Sequence, residues 1–269
     1  FLSWSVGWAT PLDEESEDPI PLSELTEEGL PIRLVNIADA SSELPLWQRM
    51  RDVSEELKGL PYVFDPIGEG RGEDPDPPAR YDVFDCLSFV EEVLALTMPE
   101  NPRDAAEIRN MLRYGPSGEI SYTNRNHFMM HQWIPHNIGN GLLVDIGGDL
   151  GEAFSMVKTV RTSTWTGWRH RNNFQLTDEQ LPTGDFELSV LPLEEALEAV
   201  ANIPPGSLIL TVRDNHAHLP IVVTHIGFVV PSADPARPLL RHATRMGSEP
   251  RVRDDFLDWY FQHLEGYRN

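Results

Sequence analysis

Asp85-Cys86-Leu87-Ser88-Phe89-Val90-Glu91-Glu92-Val93-Leu94-Ala95-Leu96-Thr97-Met98 reads as one helix with a thiol at its start. Leu87, Val90, Val93, Leu94 and Thr97 recur at helical spacing and define an apolar face. Asp85 can cap the first turn, and Pro99 stops the last. Cys86 is the chain's one cysteine, so no internal disulfide is possible and the redox compartment stays open. A free cysteine is ordinarily a small buried hydrophobe. A position in the first turn of a helix, behind a polar loop, speaks against that here. Unpaired N–H groups and the helix dipole favour an anion there, so the thiol is expected to be more acidic than its free value of about 8.5. The same N–H groups can face an oxyanion.

Upstream, residues 65–80 are rich in Gly, Pro and Asp and predict a loop. Leu46, Met50, Val53 and Leu57 predict a helix over 46–60, ended by Gly59 and Pro61. Residues 1–44 read as an acidic N-terminal arm with one short helix around 22–29. Its apolar start, Phe1 to Ala9, suits the tail of an export signal or a first strand.

Downstream, helices are expected at 105–112 and 193–201, and strands or turns at 118–120 and 142–146. Residues 124–140 mix polar and aromatic side chains, as a cleft wall would. Three β-branched runs, 207–212, 221–230 and 239–244, read as adjacent antiparallel strands, followed by a last helix over 254–264. Helices first and a strand meander after give an α+β fold. The division expected is an arm, 1–44, and one domain, 45–269, with a polar insertion around 115–190.

Charge narrows the partners. The 269 residues carry 21 basic and 43 acidic side chains, a net charge of −22. A field of that sign repels phosphate backbones and anionic lipid, so nucleic acid and membrane surfaces are poor partners. No apolar run approaches the roughly 20 residues of a membrane span. No pattern in the chain points to an oligomeric state.

A thiolate nucleophile needs an imidazole to take and return a proton. His225 lies inside an apolar strand run, and Gly227, two residues on and on the same face, leaves room beside a ring. His242 lies on the next run, so the two histidines can meet. On spacing alone a pair of core histidines satisfied by backbone fits equally. His127 and His131 stand at i and i+4, with His136 nearby, which is metal-ligand spacing. The glutamate of a His-Glu-x-x-His motif is missing and Pro135 shortens any helix, so a zinc hydrolase is the weaker reading.

Several phrases resemble the NlpC-type papain-like cysteine peptidases and amidases of the bacterial cell wall. Asp85-Cys86-Leu87-Ser88-Phe89-Val90 is similar to their nucleophile helix start, and Pro204-Pro205-Gly206-Ser207-Leu208-Ile209 to the strand before their histidine. His225-Ile226-Gly227-Phe228 is similar to the histidine strand, His242-Ala243 to the third, polar triad member, and Tyr62 to an upstream oxyanion tyrosine. The N-acetylmuramoyl-L-alanine amidase-like branch is the nearer match, through residues 66–70, 74–76, 80–86, 90–96 and 124–128. Ser88 stands where that branch often has threonine.

The resemblance implies a papain-like fold, with the nucleophile at the N-terminus of a central helix packed on an antiparallel sheet. It implies Cys86 as nucleophile, His225 as base, His242 as the residue fixing its ring, and Tyr62 as an oxyanion donor. No metal or cofactor enters such a mechanism. The substrates implied are peptidoglycan fragments, cut between N-acetylmuramic acid and L-Ala, or otherwise between D-γ-Glu and a diamino acid. That chemistry belongs in the periplasm or outside the cell. A papain-like fold that binds muropeptides without cutting them is a further alternative. Substrate-binding candidates are Asp82, Asp85, Ser88, Asn124, Arg125, His127, Phe128 and Trp133. Arg125 suits a carboxylate clamp, Phe128 and Trp133 suit sugar stacking, and Asp82 and Asp85 suit an amine, with capping the competing role of Asp85.

Overall fold

In a computed structural model of the chain, residues 22–265 are described. Four helices come first: α1 (Ile32–Ala40), α2 (Leu46–Glu55), α3 (Cys86–Thr97) and α4 (Ala105–Arg113). Two short helices follow, α5 (Ile134–Gly139) and α6 (Gly147–Leu150). Then come β1 (Phe154–Val160), α7 (Thr162–Thr166), β2 (Gly184–Val190) and α8 (Leu193–Ala199). The chain closes with β3 (Leu208–Val212), β4 (Val223–Val230), β5 (Leu239–Thr244), β6 (Arg251–Phe256) and α9 (Leu257–Glu265). This is a mixed α+β fold. One antiparallel sheet runs β3-β4-β5-β6 in order, and β1 pairs with β2 in a separate antiparallel hairpin.

Helix α3 is the axis of the core. It packs on β4 and β5 on one side and against α1, α2 and α4 on the others. Phe89 stacks on Phe228 of β4 at 5.7 Å between ring centroids. Every residue from Ser88 to Thr97 is buried, so the helix is enclosed all round and not along one face alone. Two of those residues, Glu91 and Glu92, are carboxylates whose partners come from α4. The α4 arginines stand at i and i+4: Arg109 Nε donates to Glu92 at 2.6 Å, and Arg113 Nε to Glu91 at 3.0 Å.

Several expectations change. The helix near the start is α1, not 22–29, where turns precede it. Leu34, Val35 and Ala38 of α1 enter the main core, so this part of the expected arm is packed into the fold. Phe1 to Ala9 lies outside the described residues. Segments 118–120 and 142–146 are irregular. The expected last helix begins late, because Arg251–Phe256 pairs with β5 as a fourth strand. Within the region around 115–190, Tyr122, Phe128, Val160, Trp165, Leu176 and Leu181 form a buried cluster of their own. Among the described residues no helix is long and apolar enough to cross a membrane.

Candidate active site

Cys86 opens α3. Asp85 is its N-cap: the carboxylate accepts from the Ser88 N–H at 2.7 Å, and Ser88 Oγ accepts from the Asp85 N–H at 2.9 Å. This reciprocal box fixes the turn that presents the thiol. It also assigns Ser88 to the helix cap; its side chain is buried and offers nothing to a substrate. Asp85 likewise takes the capping role.

The wall beside Cys86 is built by short backbone pairings. Tyr62 bridges Phe84 in parallel, and the Tyr62 N–H donates to the Pro250 carbonyl at 3.0 Å. Tyr62 is thereby held against the residue pair that carries the thiol. Burial, then the neighbouring Cys86 and Asp85, raise its phenol well above the ordinary range, so the hydroxyl stays a donor. The peptide N–H of Ile226, the residue after His225 on β4, is turned toward the sulfur.

His225 begins a directional chain. Its Nε2 lies 2.8 Å from Nδ1 of His242 on β5, and His242 Nε2 lies 3.0 Å from Asp255 Oδ2 on β6. Arg253 Nε also donates to that oxygen, at 3.0 Å. A carboxylate can only accept, so His242 carries its proton on Nε2. Burial lowers the pKa of His242 against the opposing pull of Asp255, and drives His225 down to about 3. Both rings are therefore neutral. Neutral His242 then has a bare Nδ1 that accepts from His225 Nε2–H, and His225 is left with a free lone pair on Nδ1. Burial raises the Asp255 carboxyl, but His242 and Arg253 together outweigh this and hold it below its usual value.

Gly227 is required by this arrangement. A Cβ there would sit 2.8 Å from both the His242 Cβ and the Arg241 carbonyl oxygen. Tyr260 of α9 closes the back, its ring 5.4 Å from that of His242 and its hydroxyl 2.7 Å from Thr211 Oγ1.

The expected acidic thiol is corrected. Three backbone N–H groups, those of Ile226, Cys86 and Leu87, favour the thiolate, but burial and the Asp85 carboxylate outweigh them and push Cys86 up to about 12. Alkylation by iodoacetamide, which needs thiolate, is expected to accelerate roughly tenfold per pH unit from neutral to about pH 10. Stopped-quench mass spectrometry of modified Cys86 measures this, and a plateau near pH 8.5 would contradict it.

The other candidates are placed elsewhere. Trp133 and Phe128 are buried, with Trp133 Nε1 donating to Glu91 at 3.0 Å, so neither shows a face to a sugar. Arg125 is buried and engaged: it donates to Asp74 at 2.8 Å and to the Ile67 carbonyl at 2.8 Å, tying down the 66–74 loop. Asn124 donates to the Glu119 carbonyl, and His127 Nε2 to the Tyr122 carbonyl. Asp82 is exposed and paired with Arg80. His131 packs edge-on against Phe186, and among the described residues no group of three or more His, Cys, Asp or Glu side chains is arranged to hold a metal.

Residues that the sequence did not single out are Asp255, Arg253, Tyr260 and Asp65. Asp65 adopts the left-handed φ of 51°. Desolvation pushes its carboxyl up to about 6 against the pull of Arg125, with Asp85, Asp74 and Asp76 adding to the rise. A non-glycine residue in that conformation costs energy.

Fold and site together define an α+β domain with a thiol at the head of its central helix and a His–His–Asp chain on the facing sheet. The chain belongs to the AmiA-like family, N-acetylmuramoyl-L-alanine amidase-like proteins, whose pattern residues 52–266 match. Among solved structures, a Legionella pneumophila protein of the DUF1460 family is similar at 22% identity and a TM-score of 0.73, over 88% of this chain and 90% of that one. An N-acetylmuramoyl-L-alanine amidase from Bacteroides uniformis is similar at 21% identity and a TM-score of 0.62, over 83% and 94%. A putative xylanase from Bacteroides fragilis is similar at 20% identity and a TM-score of 0.58, over 80% and 95%. These likenesses concern the fold. No curated protein matches the chain.

Proposed function

We propose that the protein is a papain-like cysteine amidase of bacterial cell-wall fragments that cuts the amide between the lactyl group of N-acetylmuramic acid and L-Ala. The observation that carries this is the hydrogen-bonded chain Asp255–His242–His225, on a strand whose next residue, Ile226, turns its peptide N–H toward the thiol in the first turn of α3. Family membership supplies the substrate class.

The thiol is protonated at rest, so attack and deprotonation are coupled. Cys86 Sγ adds to the carbonyl carbon while its proton passes to His225 Nδ1. The Cys86 N–H and the Tyr62 hydroxyl donate to the oxyanion. His225 returns the proton to the L-Ala nitrogen, the C–N bond breaks, and the peptide leaves its acyl partner as a thioester on Cys86. Water, deprotonated by His225, attacks the thioester and releases the lactyl carboxylate and the thiol. His242 positions the ring and Asp255 fixes its tautomer, as in triads generally. A substrate of this kind places the protein in the periplasm or outside the cell.

Mass spectrometry of N-acetylmuramoyl-L-Ala-D-Glu-diamino-acid fragments, incubated with wild type and with Cys86→Ala, tests the reading. Free tripeptide from wild type alone is the expected result. A cut between D-Glu and the diamino acid would keep the mechanism and move the bond. Binding without cleavage would leave a muropeptide-binding protein.

A further inference from the structure

We propose that residues 1–9 lie as an added strand along the open edge of β3, with Leu2, Trp4, Val6 and Trp8 seated in the apolar groove beside it. The proposal is independent of the amidase reading.

The groove has a volume of about 1470 Å³. A small-molecule site takes roughly 300–1,000 Å³, so this one has room for a length of chain. All of β3 lines one side of it. Leu188 and Val190 of β2, Phe154 of β1 and residues 142–144 also line it. β3 pairs with β4 on one side, and among the described residues no strand pairs with it on the other. The β1–β2 hairpin is a separate sheet. An edge of this kind presents a row of unpaired N–H and C=O groups and accepts a further strand. Side-chain burial agrees. Leu208, Ile209, Leu210 and Val212 are all only half-buried, whereas β4 behind them is buried from Ile226 to Val230. Phe154 and Val144 are 51% and 80% exposed. Apolar surface left open on this scale marks a contact site.

Residues 1–9, Phe1-Leu2-Ser3-Trp4-Ser5-Val6-Gly7-Trp8-Ala9, carry the matching pattern. From Leu2 to Trp8 the even positions are large and apolar, and the odd ones are Ser, Ser and Gly. A period of two puts Leu2, Trp4, Val6 and Trp8 on one face of a strand. Nine residues extend for about 30 Å, against about 17 Å for the five of β3. The segment has no charged side chain, so nothing in it repels the exposed carboxylates of Asp145, Glu194 and Asp214 that also line the groove.

The tether is long enough. The described chain begins at Leu22, which packs on the main core. Leu25 bridges Pro31 at the head of α1. Helix α1 is about 14 Å long and leads through residues 41–45 into α2. Trp47 of α2 abuts the head of β3: a Cβ on Gly206 would stand 2.8 Å from the Trp47 Cβ. Residues 10–21 span up to about 40 Å when extended. Their acidic, proline-punctuated composition favours extension. A segment on such a tether is present at an effective concentration of millimolar order, which favours it over a second copy of the chain. Thr211 of β3 pairs with His225, so the added strand braces the histidine's sheet from outside.

The test uses the full chain. A p-benzoylphenylalanine in place of Trp4 is photolysed in a mixture of light- and heavy-isotope protein, and the products are mapped by mass spectrometry. Cross-links within one chain, to residues 142–144, 188–190 or 208–212, are expected. Hydrogen exchange then compares wild type with the Trp4→Ser, Trp8→Ser double variant. Amides of 208–212 should exchange at least about tenfold faster in the variant. Those of 239–244 should be unchanged, which shows that the variant is folded. Cross-links to other parts of the fold, or equal exchange of β3 in both proteins, would overturn the proposal. Cross-links between light and heavy chains would give the groove to a second copy and overturn it too. So would an exported protein that begins at Thr10, which would make residues 1–9 the tail of an export signal.

Discussion

Cys86→Ala, His225→Ala and the double variant are each expected to lose at least about 10^4-fold in kcat and to share one residual rate, because groups that act as a unit are not additive. The reason lies in the charge state of the site. Were Cys86 an ion-paired thiolate, His225 would matter mostly for the leaving group, and its loss would cost less than that of the sulfur. Burial instead holds the thiol up near 12 and the imidazole down near 3, so neither is charged at neutral pH. On the proposed mechanism sulfur then attacks only as it hands its proton to His225, and removing either partner removes the same step. Steady-state and single-turnover rates of muropeptide cleavage measure this. A His225→Ala variant within a hundredfold of wild type would refute the coupled mechanism. His242 enters the same test as a positioning residue. His242→Ala should cost roughly 10^2- to 10^4-fold, since nothing then orders the His225 tautomer. His242→Asn should recover most of this, to within about tenfold of wild type, because the carboxamide oxygen can stand where Nδ1 accepts. A merely structural His242 would give Ala and Asn variants of equal activity.

The parts of this site that could be read from sequence are those with a periodic signal. The helix start at Asp85-Cys86 and the runs that became β3, β4 and β5 announce themselves by apolar spacing, and Gly227 by its place beside His225. Asp255 did not. Its strand, Arg251–Phe256, is held by ion pairs, with only Val252 buried, so apolar alternation is absent and Asp254-Asp255 looks like a helix cap. The β1–β2 hairpin hid for a related reason: Lys158 points inward between Met156 and Val160, satisfied by the Asn215 side chain and the His216 carbonyl. The polar and aromatic mixture at 124–140 misled most. Asn137 Nδ2 donates to the interior carbonyls of Leu112 and Trp133, while both His131 ring nitrogens and Asn137 Oδ1 are buried without a partner, and such a polar interior has the composition of a cleft.

Arg109→Met is expected to destabilise the fold by about 3–5 kcal/mol, the cost of leaving a buried charge without its partner. Glu92 lies fully buried in the middle of α3, and both its oxygens are engaged: Arg109 Nε at 2.6 Å and Nη2 at 2.7 Å, with the Tyr81 hydroxyl donating at 2.7 Å. Without the guanidinium, Glu92 keeps Tyr81 and only the long 3.5 Å approach of Arg113, which serves Glu91. For a domain of this size, about 2–4 °C per kcal/mol gives a fall in Tm near 10 °C. Removing the opposite charge as well, in Glu92→Leu with Arg109→Met, should recover much of the loss, since a buried pair contributes little beyond a well-packed apolar one. The Tyr81 hydroxyl, left without an acceptor, keeps the recovery incomplete. Calorimetric melts of the three variants decide it: a single variant within about 1 kcal/mol of wild type would mean that water reaches Glu92. The same network lashes α3 to α4 about one and a half turns beyond the thiol. It follows that kcat of the folded Arg109→Met protein at 25 °C should fall only a few-fold while its melting point falls steeply, separating what holds the nucleophile helix from what runs the chemistry at its tip.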